Sequence, residues 1–251
     1  MMRLDRMLSA QGAAARADVK KLARRGLITV DGAAERDPGR IIDPLRSEVV
    51  LAGRRIAYSE HVYIMMNKPF GVVSAGRDRR DRTVVDLLPA GLRRPGLFPA
   101  GRLDRDTTGL IIITDDGDFA HRLLSPASHV WKHYSAQLDV PADAEDAAAF
   151  ARGVALPGGL MCLPAKLDLG PGGECGVWIR EGKYHQIKRM FEARGRTVTK
   201  LSRLSVGGLE LDAALAPGGA RLLAPGEKEL AMLAAEPPGL GASQPAPPRA
   251  D

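Results

Sequence analysis

The segment that most constrains the fold is Leu110-Ile111-Ile112-Ile113-Thr114. This continuous apolar, β-branched run is bounded by Gly109 and by Asp115-Asp116-Gly117. It predicts an interior strand leading through a turn into a short helix over 118–124. Directly before it stands Gly101-Arg102-Leu103-Asp104-Arg105-Asp106-Thr107-Thr108, which sets a carboxylate between arginines on a loop carried by that strand. Loops on a rigid scaffold commonly hold reactive groups. By residue type alone, Asp104 and Asp106 also suit pairing with Arg102 or Arg105, or capping of a turn.

From Val62 onward, strand-like runs at 62–66, 110–114, 135–140, 177–180 and 197–204 alternate with helical runs at 119–124, 143–152 and 186–194. This is the pattern of a mixed α+β domain. The first 58 residues read as a smaller unit. Leu4, Met7 and Leu8 recur at helical spacing, and 17–25 predicts a second, basic helix closed by Gly26. A strand over 27–30, a tight turn at Asp31-Gly32 and a strand over 48–52 follow. This unit carries 12 Lys and Arg against 7 Asp and Glu, so +5 of the chain's net +6 lies in under a quarter of its 251 residues. Such a balance suits a polyanionic partner.

Residues 53–61 lose apolar periodicity and read as a polar linker that permits relative motion. Arg77 to Arg82 form a mixed-charge loop, either solvated or in contact with phosphate. Residues 236–251 are rich in Pro, Gly and Ala and are expected to be disordered, with no catalytic role. The expected organisation is therefore 1–58, 59–235 and a tail over 236–251. No signal peptide or membrane-spanning window is evident, which predicts a cytoplasmic protein. Cys162 and Cys175 lack metal-like spacing and are expected to be reduced thiols. The helical-looking pair His129 and His133 lacks a third ligand, so no metal site is expected.

Four motifs occur in order: Met65-Met66-Asn67-Lys68-Pro69-Phe70-Gly71, the Gly101–Leu110 string, Trp131-Lys132-His133-Tyr134, and Glu181-Gly182-Lys183-Tyr184-His185-Gln186-Ile187-Lys188-Arg189-Met190-Phe191. Val206-Gly207-Gly208-Leu209 follows them. Together they resemble the RsuA-type pseudouridine synthases, the branch that modifies 16S small-subunit rRNA. The N-terminal unit resembles the alpha-L RNA-binding fold of a small-subunit ribosomal protein. The resemblance implies an α+β catalytic domain with a central, mixed, largely antiparallel sheet and a cleft. It also implies a partner that is 16S rRNA or a small-subunit assembly intermediate, and action as a monomer.

By the same resemblance, Asp104 is the catalytic carboxylate, Tyr134 stacks on the uracil, and Lys188 supplies the active-site cation. Arg102 and Arg189 are expected to support them, while Arg3, Arg6, Arg16, Lys20, Lys21, Arg24 and Arg25 contact RNA. The isomerisation neither gains nor loses atoms, so no cofactor is required. A single Asp can act as nucleophile or as general base at the ribose, and both routes stay open. Two rival readings are a synthase acting on 23S rRNA and a non-catalytic RNA-binding assembly factor. Tyr184-His185-Gln186 departs from the Asn-Arg-Gln or Asn-Arg-Glu pattern of the large-subunit branches. The presence of both Asp104 and Tyr134 speaks against the non-catalytic reading.

Overall fold

The computed structural model describes residues 1–234 and Pro237. Apart from Pro237, the tail expected over 236–251 lies outside the described residues.

The N-terminal elements are β1 (Met2–Arg3), α1 (Leu4–Ala10), α2 (Arg16–Arg24), β2 (Ile28–Val30), β3 (Ala33–Ala34), β4 (Ile41–Ile42), β5 (Val49–Leu51) and β6 (Arg54–Arg55). Leu4, Met7 and Leu8 of α1 and Val19 and Ala23 of α2 bury one apolar face. They pack against Ile28, Val30, Ile42, Val49 and Ile56, forming a hydrophobic cluster drawn only from this part of the chain. Asp31 and Gly32 both take positive φ, 54° and 81°, and close the β2–β3 hairpin. The expected linker is folded over its first half. Arg54 and Arg55 pair with Leu51 and Val50, and Ile56 is buried. A two-residue strand is too short to show periodicity, which is why the sequence reads as a linker there.

The joint to the rest of the chain is fastened by Arg94, whose side chain is only 7% exposed. Its guanidinium donates to Ser59 O at 3.0 Å, Glu60 O at 2.7 Å and Gln11 Oε1 at 3.3 Å, and pairs with Asp115. Gln11 and Ser59 exchange two further hydrogen bonds. The polar composition of this stretch therefore serves a fixed contact.

The remaining elements begin with β7 (Tyr63–Lys68), β8 (Phe98–Pro99), β9 (Thr108–Thr114), α3 (Gly117–Leu124), β10 (Lys132–Leu138) and α4 (Ala144–Arg152). Then come β11 (Ala155–Leu156), β12 (Leu160–Met161), β13 (Lys166–Leu169), β14 (Glu174–Ile179), α5 (Gln186–Glu192), β15 (Val198–Val206), β16 (Leu209–Glu210), β17 (Ala220–Leu222) and α6 (Glu227–Ala231). The large sheet runs β13-β14-β10-β15-β9-β7-β17, with β16 on β15 and β8 on β9. Its pairs are antiparallel except β15–β9, which is parallel in the register Ser202↔Thr108 and Arg203↔Gly109. The α+β class and the mixed, largely antiparallel sheet are thus as expected.

Strand β9 is interior, as its composition requires. Ile111 and Ile113 join the cluster beneath α4 and α5, whereas Leu110 and Ile112 join the one beneath α3. Each such side chain contributes about 1.5–3 kcal/mol by leaving water. Gly109 opens the strand at φ +98°, and a Cβ there would lie 2.2 Å from Arg203 O, so only glycine admits the parallel pairing. Asp116 caps α3 by accepting from Phe119 N at 2.9 Å.

Several boundaries differ from expectation. Strand β10 begins at Lys132 and not at Ser135, because the alternating burial of Tyr134, Ala136 and Leu138 extends back through the aromatic motif. His133 lies on the opposite face, stacked on Trp178 at 3.9 Å, and is no helical partner of His129. Helix α5 stops two residues early, at Glu192. The short strands β13 and β17 lie at the sheet's edges, where apolar patterning is weakest. Cys162 and Cys175 are buried free thiols, and Cys175 Sγ donates to Ala136 O at 3.6 Å. Among the described residues, no helix is long and apolar enough to cross a membrane, and no group of three His, Cys, Asp or Glu side chains could hold a metal ion.

Candidate active site

Between the loop entering β9 and the N-terminal end of α5 lies a cleft open to solvent on one side. Its lining includes Asp104, Arg102, Tyr134, Lys188, His185 and Thr107.

The Asp104 loop is held by backbone and by buried polar side chains. Thr107 N donates to Asp104 O at 3.1 Å, and Gly71 N donates to Arg105 O at 2.8 Å. Ser74 Oγ accepts from Leu103 N at 3.0 Å and donates to Leu103 O at 2.8 Å, clamping the residue before Asp104. Beneath the loop, the fully buried Lys68 donates from Nζ to the carbonyls of Thr107 at 2.8 Å, Pro69 at 3.1 Å and Arg105 at 3.3 Å. Burial pushes the Lys68 ammonium down from 10.5 to about 8, opposed by the nearby carboxylates of Asp106 and Asp104. Three carbonyl acceptors are what allow an amine to be enclosed at all.

Lys188 and His185 approach Asp104 from the opposite wall. Lys188 Nζ lies 3.5 Å from Asp104 Oδ2 and 2.5 Å from Asp106 Oδ1, so one ammonium bridges two carboxylates. That hydrogen bond is the largest influence holding the Asp106 carboxyl below its usual range. His185 caps α5 in the left-handed conformation, φ 48°, with Nε2 3.5 Å from Asp104 Oδ1 and its ring stacked on Tyr184 at 3.8 Å. The turn that presents it is tied by Glu181, which accepts from Gln186 Nε2 at 2.7 Å and Leu163 N at 2.9 Å and pairs with Lys183.

Tyr134, on β10, forms an aromatic wall that is 7% exposed. Among the described residues its hydroxyl has no hydrogen-bond partner. Thr107 Oγ1 is likewise buried on the cleft wall without one. Leu103, Ile179, Ile187 and Leu201 complete an apolar surround. A carboxylate faced by a lysine ammonium and an imidazole, beside an aromatic plane and partly shielded from water, can act on a flat, uncharged ring attached to a sugar.

Residues 62–156 match the family model for RNA pseudouridylate synthase. Over 92% of its length the chain is 44% identical to an uncharacterized RNA pseudouridine synthase of Bacillus subtilis, YtzG, covering 98% of it. Over the same share it is 40% identical to ribosomal small subunit pseudouridine synthase A of Vibrio cholerae, covering 99% of that protein. The chain belongs to the RNA pseudouridylate synthase family. It is an enzyme, an isomerase that acts on RNA. A crystal structure of a pseudouridylate synthase superposes with a TM-score of 0.64 at 33% identity, covering 92% of this chain and all of that one. The likeness to this solved synthase therefore includes the N-terminal unit as well as the sheet.

Within this synthase, the fold brings Asp104, Tyr134, Lys188 and Arg102 to one cleft. Arg102 is exposed at the rim and forms no ion pair with Asp104 among the described residues. Arg189 is not in the cleft; its Nη2 reaches Pro157 O at 3.3 Å. Adjacent residues on a helix diverge by about 100°, so Lys188 and Arg189 cannot serve the same wall. The seven basic residues expected to contact RNA are all exposed. Arg3 is paired with Asp5 at 2.9 Å and Lys21 with Asp18 at 3.4 Å, whereas Arg6, Arg16, Lys20, Arg24 and Arg25 form no ion pair among the described residues. In the mixed-charge loop, Asp81 pairs with Arg105 at 3.2 Å.

Sequence reasoning gave Lys68, Ser74, His185 and Gln186 no role in the site. Lys68 carries a usable signal, a charged residue ending an otherwise apolar strand run. The orientation of His185 depends on a left-handed residue that no composition announces.

Proposed function

We propose that this synthase converts one uridine of 16S small-subunit rRNA to pseudouridine, with Asp104 as the catalytic carboxylate. The observation that carries the reading is Asp104 itself, with Lys188 and His185 each 3.5 Å away and the ring of Tyr134 in the same cleft. The reaction breaks the bond from ribose C1′ to uracil N1, turns the base and forms the bond to C5. One proton leaves C5 and one is taken up at N1, so no cofactor is required. Asp104 acts at the ribose or the base, Tyr134 holds the detached ring by stacking, and Lys188 stands 3.5 Å from the carboxylate as its ion-pair partner. His185 adds a second partner to that carboxylate, and Arg102 at the rim suits a phosphate. A paired or folded uridine cannot reach Asp104, so the base enters flipped.

Residues 1–58 act as the RNA-binding domain and 59–235 as the catalytic domain. The unpaired cations on α2 suit phosphate contacts. The choice of 16S rRNA is supported by the relatives in Vibrio cholerae and Escherichia coli, both named ribosomal small subunit pseudouridine synthase A. The enzyme works as a cytoplasmic monomer on rRNA or a small-subunit assembly intermediate. The test incubates wild type and Asp104→Asn with deproteinised 16S rRNA, an early assembly particle, mature small subunits and 23S rRNA, and then maps pseudouridine. We expect one 16S site, best in the open particles and absent with Asp104→Asn. Modification of 23S rRNA alone overturns the substrate, and wild-type turnover by Asp104→Asn overturns the catalytic assignment.

A further inference from the structure

Phe70 lies in a motif that matched the family, yet nothing above gives its side chain a role. It is 72% exposed. A lone exposed aromatic needs no explanation, but this one stands over a second hollow of about 510 Å³, inside the range of about 300–1,000 Å³ usual for small-ligand sites. Lys188 and Leu201 line both this hollow and the Asp104 cleft, so the two are neighbours that share a wall. Val198 adds to the apolar floor, and Lys200 stands exposed at the edge with no ion pair among the described residues.

The turn that carries the aromatic is also held in place. Gly71 N donates to Arg105 O at 2.8 Å, and Arg105 Nε donates to Gly71 O at 3.2 Å. Lys68 Nζ bonds Pro69 O at 3.1 Å and Thr107 O at 2.8 Å, joining the Phe70 turn to the Asp104 loop from beneath. The same clamp therefore ties the backbone that carries Phe70 to the backbone of the Asp104 loop.

We propose that this hollow is a stacking subsite for the nucleobase next to the target uridine in the RNA, with Phe70 as the platform and Lys200 contacting the adjoining phosphate. The inference rests on the reading of the Asp104 cleft as the uridine site. Flipping one base out of a strand leaves its neighbour with an uncovered face, and an exposed aromatic beside the cleft replaces the lost stacking. Asp106 also borders the hollow, but its charge is taken up by Lys188. Among the described residues lining the hollow, Lys200 is thus a cation without an ion-pair partner, placed to meet the adjoining phosphate.

The experiment uses the 16S rRNA segment carrying the mapped uridine, intact or with an abasic ribose at either flank. Dissociation constants are measured for the full-length wild type, Phe70→Ala and Phe70→Trp. Phe70→Ala is expected to bind the intact RNA about 5- to 150-fold more weakly, the span usual for one base–aromatic stack. Phe70→Trp is expected to bind it normally, and all three should melt at the same temperature because the side chain is exposed. Against RNA abasic at the stacked flank, wild type and Phe70→Ala should bind equally. A defect in Phe70→Ala that persists with both abasic RNAs, or no defect on intact RNA, overturns the subsite. Turnover of the intact segment by wild type is measured alongside; its absence removes the uridine reading itself, and the subsite with it.

Discussion

Replacing Lys68 with Met tests whether a buried cation organises the Asp104 loop. The substitution keeps the length of the side chain and removes donors to three carbonyls, those of Thr107, Pro69 and Arg105. Hydrogen bonds from a charged group are worth about 1.5–3 kcal/mol each. Opposing this, the buried amine is pushed from 10.5 to about 8, and at about 1.4 kcal/mol per unit Met recovers about 3 kcal/mol. The net destabilisation near neutral pH is then about 1.5–6 kcal/mol. The difference has a pH signature. Because the folded-state pKa lies below the unfolded one, unfolding takes up a proton between pH 8 and 10.5. The stability linked to Lys68 is complete above that window and is lost as pH falls through 8. Wild type should therefore gain on Lys68→Met by up to about 3 kcal/mol as pH rises across the window. Urea unfolding of both proteins on either side of pH 8 measures the gap, and tritium release from RNA labelled at uracil C5 reports turnover. Turnover should fall far more than RNA affinity, since the cation holds the loop and does not face the cleft. A stability gap that stays constant with pH, or turnover unchanged in Lys68→Met, refutes the argument.

Tyr134→Phe should match wild type in RNA affinity and melting temperature, because the hydroxyl makes no hydrogen bond among the described residues. Tyr134→Ala should lose about 1–3 kcal/mol of base stacking, and filter binding that finds Phe as weak as Ala rules out the ring as a platform. Converting Arg16, Lys20, Arg24 and Arg25 to Gln should flatten the salt dependence of rRNA binding by about 0.7 in log–log slope for each single-strand phosphate that is no longer neutralised. Converting Arg3 and Lys21, already paired with Asp5 and Asp18, should change it less. Equal slopes for wild type and the fourfold variant exclude α2 from the RNA interface.

The parts of the fold legible in the sequence are those where local pattern and tertiary burial agree. The isoleucine run predicts an interior strand, and β9 is buried on both faces by separate clusters. Leu4, Met7 and Leu8 likewise mark the face that α1 buries. The parallel pairing of β15 with β9 is not legible, since it joins residues some ninety apart through a glycine whose φ only the folded partner explains. The Asp104 loop stands out because its charge pattern is local. Lys68 and Ser74 hold it through backbone atoms distant in sequence, and such partners leave no periodic trace. Arg189 shows the limit in reverse: it shares a motif with Lys188, and one step of helical rotation sends it to Pro157.

Arg94 gives the molecule a property that neither half has alone. One nearly enclosed guanidinium holds Gln11 at the end of α1, Ser59 and Glu60 in the connecting stretch, and Asp115 at the end of β9. Swinging the basic unit away would strip a buried cation of its acceptors, which is costly. The spacing between α2 and Asp104 is thereby set before any RNA arrives, as in a calliper locked to one opening. An RNA that touches both ends gives up no hinge entropy of the protein, and one whose loop stands at another distance from its helix cannot satisfy both ends. If α2 contacts RNA as proposed, selectivity of this kind would measure separation and need no base read outside the cleft.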